Sequence, residues 1–316
     1  DAPSLSPELE IAIGRSEIVV FLARLGDQLR FSKMPRNKRI VVSYAISPEM
    51  FACRFGQTNH RAMVELKRLI NHALAQSNEV RLTCKAGTDV TGHADPDLSE
   101  AGDTSILRFP LSVHVPVPAR SFSGRVALPG FLVGTGSKYY EPYSVQFQQP
   151  IHAYFTTGRL TGFEGSQQDR LLAEKHYDYV ASRFRIDRNM VHSWHAGIHP
   201  GCTYQRPANQ DFERWSGAAF GNPRLLHFHT CGAYAPGEIS WNVLDPTILL
   251  DGVAVYEDGR LCPERLQGGE EILDRFPDMA DCFDSPSNEV GLPPAPLLPR
   301  HSMQSTALSV ATESTK

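Results

Sequence analysis

Five of the twelve histidines in the chain lie between Val191 and Glu238. They are His192, His195, His199, His227 and His229. The carboxylate of Glu238 closes this stretch. Imidazole and carboxylate groups are the usual ligands of divalent first-row metals, and two histidines with one carboxylate suit Fe(II) with open coordination positions. The pattern therefore predicts a metal site, with Zn as the alternative metal.

The first histidine segment, His195-Ala-Gly-Ile-His199, separates two imidazoles by four residues. On a helix this spacing would place both rings on one face. Gly197 and Pro200 favour a strand end that runs into a loop instead. In that geometry we expect one of the two to bind the metal, and His195 is favoured. His199 is the alternative ligand, or an acid or base that faces the substrate. His192 is predicted to be structural.

The second segment, His227-Phe-His229, alternates as a strand does, so both imidazoles should point to the same face. Two imidazoles on one face are costly to bury without a metal or hydrogen-bond partners. We therefore predict that at least one of them is a ligand, and His229 is favoured. Glu238 begins a further alternating segment, where it is either the carboxylate ligand or a cap or turn acceptor.

Other side chains of the same stretch either shape a substrate pocket or belong to the ordinary core and surface. They are Tyr204, Arg206, Tyr234 and Trp241. Of these, Tyr204 or Arg206 is expected to orient the substrate. A thiolate ligand from Cys202 or Cys231 is a further alternative, and it would favour zinc. The six cysteines show no C-x-x-C spacing, so we expect free thiols in a reducing compartment.

The N-terminal part of the chain, which precedes the histidine-rich stretch, shows an α/β pattern. Glu17–Leu22, Arg39–Ile46 and Glu79–Cys84 are typical of short buried strands, and His60–Ala75 is typical of an amphipathic helix. Residues 8–14 predict a helix that ends at a glycine. Strands that alternate with helices indicate a parallel sheet. Residues 1–84 are therefore predicted to be part of a doubly wound α/β domain, whose other half would precede Asp1.

Residues 85–265 are predicted to form a β-rich α+β domain that carries the metal site. Short alternating segments and turns between residues 91 and 170 predict antiparallel strands. Asp169–Arg183 predicts one long amphipathic helix. Thr247–Leu261 predicts a β-hairpin with Asp251-Gly252 as its two-residue turn.

Residues 266–316 form a tail that is acidic and then, from Asp284, rich in proline and serine. This part is predicted to be poorly ordered or to pack on a partner subunit.

Composition narrows the function classes. A net charge of −4 and a pI of about 6.3 leave no global electrostatic footprint for nucleic acid. The chain has no apolar run of about 18 residues and no signal-peptide pattern at its start, so we expect a cytoplasmic protein without a membrane span. It also lacks G-x-S-x-G, P-loop and H-E-x-x-H motifs, so nothing favours a serine hydrolase or a nucleotide-binding protein.

Several short motifs, in order, resemble those of the thermophilic metalloaminopeptidase family and its 2,5-dihydroxypyridine 5,6-dioxygenase-like members. K-A-G-T-D at Lys85–Asp89 resembles the strand-ending G-T-D or A-G-S-D, and P-G-F-L-V at Pro129–Val133 resembles S-G-F-L-F of the dioxygenase. H-A-G-I-H-P at His195–Pro200 lies where the dioxygenase has H-I-G-W-G. H-F-H-T-C-G at His227–Gly232 lies near H-I-A-L-G of the peptidases. E-I-S at Glu238–Ser240 falls on the family's H-x-D ligand pair.

The departures from the family pattern favour one metal over two. The family's second-metal glutamate has no counterpart near Phe131, which argues against a two-metal peptidase. The set that survives is His195, His229 or His227, and Glu238. The resemblance then implies a mononuclear non-haem iron oxygenase, expected to cleave a small hydroxylated aromatic or N-heterocycle with O₂ and to form at least a homodimer. The alternatives are a single-metal hydrolase and a non-catalytic binding protein with a degenerate site.

Overall fold

The computed structural model describes residues 6–22, 38–99, 106–134, 138–232 and 236–293. The α-helices in these ranges are α1 (Pro7–Arg15), α2 (Pro48–Ala52), α3 (Arg54–Gln57), α4 (His60–Gln76), α5 (Gln167–Phe184), α6 (Phe212–Ala218), α7 (Gly269–Arg275) and α8 (Pro277–Asp284). The strands are β1 (Ile18–Phe21), β2 (Arg39–Ser43), β3 (Val80–Thr83), β4 (Asp89–Gly92), β5 (Ile106–Phe109), β6 (Val117–Pro118), β7 (Ser123–Leu128), β8 (Phe131–Gly134), β9 (Ser144–Gln146), β10 (Ile151–Thr156), β11 (Arg159–Glu164), β12 (Val191–Ala196), β13 (Leu225–Cys231), β14 (Glu238–Leu244), β15 (Thr247–Leu250), β16 (Val253–Glu257) and β17 (Arg260–Leu261). The fold is thus a mixed α/β one, as the sequence predicts.

The smallest sheet is parallel and has the order β1-β2-β5. One face packs Phe21, Ile40 and Val42 against Ile13 of α1. The prediction that the strand near Glu79–Cys84 belongs to this sheet is wrong. That strand, β3, pairs antiparallel with β4 and β15, because a tight turn after it folds the chain directly back. Helix α1 also continues through the predicted glycine stop to Arg15.

An eight-stranded antiparallel sheet has the order β11-β10-β7-β4-β3-β15-β16-β17. It contains the predicted hairpin, β15 and β16. Asp251 and Gly252 form the turn with φ angles of 47° and 85°. Both central residues of a two-residue turn of this kind need positive φ, and Asp-Gly is a favoured pair for it. The predicted helix over Asp169–Arg183 is α5, which begins after Ser166, whose hydroxyl accepts from the N–H of Asp169.

A six-stranded antiparallel sheet, β6-β12-β13-β14-β8-β9, positions the histidines. On one face, Trp194, Phe228 and Trp241 are neighbours in register on the three central strands and are fully buried. Phe155 of the eight-stranded sheet packs on Phe228 and Trp241, with ring centroids 5.7 and 5.9 Å apart. The two sheets therefore share one apolar core, and the opposite face of the six-stranded sheet is free to carry polar groups.

A buried hydrogen-bond network ties β13 to β14 beneath that polar face. Trp241 Nε1 donates to the hydroxyl of Tyr177 on α5, at 2.6 Å, and the same hydroxyl bonds to Thr230 Oγ1. Thr230 Oγ1 in turn donates to the main-chain oxygen of Ile239, at 2.9 Å. Because Thr230 follows His229 and Ile239 follows Glu238, the network fixes the two backbones that present these side chains.

The acidic part of the predicted tail folds into α7 and α8. The chain then runs beside the segment that follows β12, since Ser287 N–H donates to Pro200 O at 2.8 Å and Tyr204 N–H donates to Glu289 O at 2.7 Å. Residues 294–316 of the predicted tail lie outside the described residues. The division of the chain at residues 84 and 265 stays a prediction. No helix in the described ranges has a stretch long and apolar enough to cross a bilayer, and all six cysteines are free.

Burial of His176 on α5 should make stability depend on pH. Its ring is 4% exposed, and burial lowers its pKa to about 4. The unfolded chain, with a pKa near 6.5, binds the proton more readily, so the contribution to stability is present above about pH 6.5 and is lost as the pH falls toward 4. In urea melts, we expect His176→Leu to reduce the fall in unfolding free energy between pH 7 and pH 4 by about 3 kcal/mol. An unchanged fall would show that His176 is not the group responsible.

Candidate metal centre

Three of the five predicted histidines converge on the polar face of the six-stranded sheet. His195 of β12 lies directly opposite His227 of β13, and Ser193 lies opposite His229. The Nε2 atoms of His195 and His227 are 2.6 Å apart, and those of His195 and His229 are 3.1 Å apart. Each ring offers one nitrogen, and all three nitrogens lie within 4.8 Å of one another. The strand places His227 and His229 on one face, as their alternation predicts.

Two of the three rings, those of His195 and His227, are buried and electrically neutral. Burial lowers the pKa values of His195 and His227 well below the usual range, and the neighbouring imidazoles and Arg108 lower them further. His229 is partly exposed, so the cluster meets the surface at this ring. Neutral imidazoles suit Zn, Cu, Fe or Ni, and the Nε2 atom of His195 contacts those of His227 and His229 directly. The donor set therefore fits a divalent first-row metal.

His195 is held by His114, a residue that the sequence analysis missed. Nδ1–H of His195 donates to the main-chain oxygen of His114 at 3.2 Å, which leaves the lone pair on Nε2. The ring of His114 donates from Nδ1 to Val115 O at 2.8 Å and accepts at Nε2 from Ala196 N–H at 2.9 Å. Burial lowers the pKa of His114 to about 4, so it stays neutral in these roles. The one sequence feature that could have pointed to His114 is its position as a single histidine within an apolar segment.

Glu238 lies behind His229. Its Oε1 accepts a hydrogen bond from His229 Nδ1, so the imidazole presents Nε2 to the cluster. Glu238 is 5% exposed and lies opposite Cys231, which follows the two clustered histidines on β13. Such a carboxylate orients a metal-binding imidazole and raises its basicity. The geometry supports this outer role, whereas direct ligation by Glu238, or by Cys202 or Cys231, stays a prediction.

The residues predicted to be catalytic lie outside the cluster of three. His199 is fully buried, packs edge-on against Phe55 at 4.9 Å between ring centroids, and accepts at Nδ1 from Gly201 N–H. Burial lowers its pKa to about 3, so it is neutral at pH 7. Tyr204 is buried in a second apolar core, and Arg206 is exposed. Their catalytic roles stay predictions.

The remaining residues named in the sequence analysis are His192, Trp241 and Tyr234, and the described structure does not place them in the cluster. His192 is half-buried, its Nδ1 hydrogen-bonds to Ser193 Oγ at 2.9 Å, and it is not one of the three converging histidines. Trp241 belongs to the apolar core on the opposite face of β14. Tyr234 lies outside the described residues.

Two further polar residues of β14 border the cluster, and of these the sequence analysis named Ser240, in the E-I-S motif, but not Asn242. Ser240 lies opposite His229, and Asn242 lies opposite His227, so both share the face of the cluster. Both are fully buried. The alternation of Glu238, Ser240 and Asn242 with apolar residues was the available signal, because successive side chains of a strand point to opposite faces.

A solved structure shares this fold. The structure of 2,5-dihydroxypyridine dioxygenase from Pseudomonas putida KT2440 matches with a TM-score of 0.52 and 16% sequence identity, and the match covers 82% of this chain and 76% of that chain. No family model and no curated protein sequence matches the chain. At this identity the likeness supports the fold alone. It agrees with the dioxygenase-like motifs of the sequence, and the resemblance to the aminopeptidases stays a prediction.

Substitutions of Glu238 separate its two possible roles. If Glu238 orients His229, then Glu238→Gln keeps an acceptor for Nδ1–H and should cost only a few-fold in metal affinity, while Glu238→Leu should cost about 10- to 100-fold. Competition with a chromogenic chelator would measure Zn²⁺ and Fe²⁺ affinities. An equally large loss in both variants would instead identify Glu238 as a direct ligand.

Proposed function

We propose that this chain is a mononuclear non-haem iron oxygenase that cleaves a small hydroxylated aromatic or N-heterocyclic ring with O₂. One observation carries the proposal: three imidazoles, two of them buried, bring one ring nitrogen each to within 4.8 Å of the others. The fold shared with a dioxygenase supports it, and so do the motifs found in the sequence.

The three histidines His195, His227 and His229 would hold the metal. Fe(II) prefers more than three ligands, so a three-histidine set leaves positions for the oxygen atoms of a substrate and for O₂. Holding both reactants at one centre replaces a bimolecular encounter with a positioned reaction. The residues of the chain contribute orientation, because His114 and Glu238 fix which nitrogen of His195 and His229 faces inward.

The charge of the centre favours a substrate with an acidic hydroxyl group. Three imidazole ligands would leave both positive charges of the metal uncompensated, and the carboxylate of Glu238, hydrogen-bonded to His229 Nδ1, would offset them in part. Arg108 adds positive potential, since its charge lowers the pKa values of His195 and His227. A deprotonated hydroxyl of a phenol or hydroxypyridine is the matching donor.

His199 keeps its proposed role as proton carrier, and Tyr204 and Arg206 keep theirs as groups that orient the ring. A cytoplasmic homodimer or higher oligomer also stays part of the proposal.

A single-zinc hydrolase is the second candidate. The observation in its favour is the same donor set, since three histidines with one open position also form catalytic zinc sites. There the open position would serve a nucleophilic water rather than O₂. Metal identity and the consumption of O₂ distinguish the two candidates.

Metal analysis and oxygen uptake test the proposal together. Protein purified without oxygen should contain about one equivalent of iron and should consume O₂ with hydroxypyridines or hydroquinones. His195→Ala should lower both metal content and rate by at least about 100-fold, because it removes a metal ligand. His192→Ala is the matched control on the same strand and should leave both unchanged. One equivalent of zinc, no O₂ consumption and chelator-sensitive cleavage of amino-acid nitroanilides would favour the hydrolase instead.

A further inference from the structure

One of the three converging imidazoles lacks the support that the other two have. His195 donates its Nδ1–H to His114 O, and His229 donates its Nδ1–H to Glu238. Nδ1 of His227 is buried and has no hydrogen-bond partner among the described residues. A metal-binding histidine almost always donates its second N–H, because that bond fixes the tautomer and the ring plane. The group that serves His227 should therefore lie nearby on the same face.

Asn242 has the position that such a group requires. It is the cross-strand neighbour of His227 and is fully buried. Cβ atoms of directly opposite residues are about 5 Å apart, and their side chains share one face. Its Oδ1 accepts from Ser240 Oγ at 3.4 Å, while its Nδ2 has no partner within the described part of the chain. Two neighbouring buried groups, both able to donate, are thus left without an acceptor.

A rotation of the Asn242 amide would turn an acceptor toward His227 in place of a donor. A half turn of the Asn242 amide exchanges Oδ1 and Nδ2, which occupy nearly the same volume. Oδ1 is then available to accept from His227 Nδ1–H, and Nδ2–H is available to donate to Ser240 Oγ. Phe220 packs on the ring of His227, with centroids 4.1 Å apart and planes tilted by 33°, which limits rotation of the imidazole.

We propose that Asn242 is the positioning residue of His227: its amide oxygen holds the Nδ1–H tautomer and directs the Nε2 lone pair to the metal. The inference rests on the proposed metal-dependent function. It gives each of the three imidazoles an outer partner of a different kind, namely a main-chain oxygen, a carboxylate and an amide.

Three variants of the full-length protein test the inference. Asn242→Asp keeps an acceptor opposite His227, and Asn242→Leu removes it. Thr88→Val is the control, because it deletes a buried hydroxyl that accepts from Ala127 N–H at 3.0 Å in the eight-stranded sheet. Two measurements apply to each: ¹⁵N chemical shifts of the His227 ring in metal-free protein at pH 7.5, which report the tautomer, and Zn²⁺ affinity by chelator competition.

We expect wild type, Asn242→Asp and Thr88→Val to show the Nδ1–H tautomer of His227 and similar Zn²⁺ affinities. Asn242→Leu should show a mixture of tautomers and bind Zn²⁺ about 10- to 100-fold more weakly. The inference is overturned if Asn242→Leu keeps both properties, or if Asn242→Asp loses them to the same extent. If wild type binds no metal, the proposed function fails, and the tautomer measurement still decides the role of Asn242.

Discussion

The pairing of β12 with β13 is the constraint on which the candidate centre depends. In the observed register His195 faces His227, and the next position on that face of β13 brings in His229. A slip of one residue would turn a whole set of side chains to the opposite face of the sheet. The apolar neighbours Trp194, Phe228 and Trp241 oppose such a slip, because it would expose three large buried side chains to the polar face. The apolar core on one face of the sheet thus fixes the strand register that brings the three histidines together on the other face.

Burying the polar groups on this face of the sheet costs folding free energy unless each group has a hydrogen-bond partner. Buried polar groups that lack partners destabilise a fold by about 1–3 kcal/mol each. Most of the buried polar groups here support one another, since His114 holds His195 and Glu238 holds His229. On the face that carries the cluster, His227 Nδ1 and Asn242 Nδ2 lack partners among the described residues. The three converging ring nitrogens contact only one another in the described contacts, and a cation or a shared proton would satisfy their lone pairs.

The sequence predicted features that depend on local periodicity. The alternation in His227-Phe-His229 gave a shared face, and Asp251-Gly252 gave the hairpin turn, because both follow from backbone geometry within a few residues. It failed where the answer depends on which distant segments pair. Strand β3 was assigned to the wrong sheet, since its apolar pattern does not specify its neighbours. His114 and the contact between Glu238 and His229 were missed for the same reason, as each joins segments brought together only by the fold.

The most direct measurement is anomalous scattering from crystals of metal-loaded protein, recorded at the absorption edge of the bound metal. The account predicts one ion at about 2.0–2.2 Å from Nε2 of His195, His227 and His229. Glu238 should remain on Nδ1 of His229 rather than enter the coordination shell. An ion bound elsewhere, or three rings that keep their separate hydrogen bonds with no ion among them at saturating metal, would contradict the account.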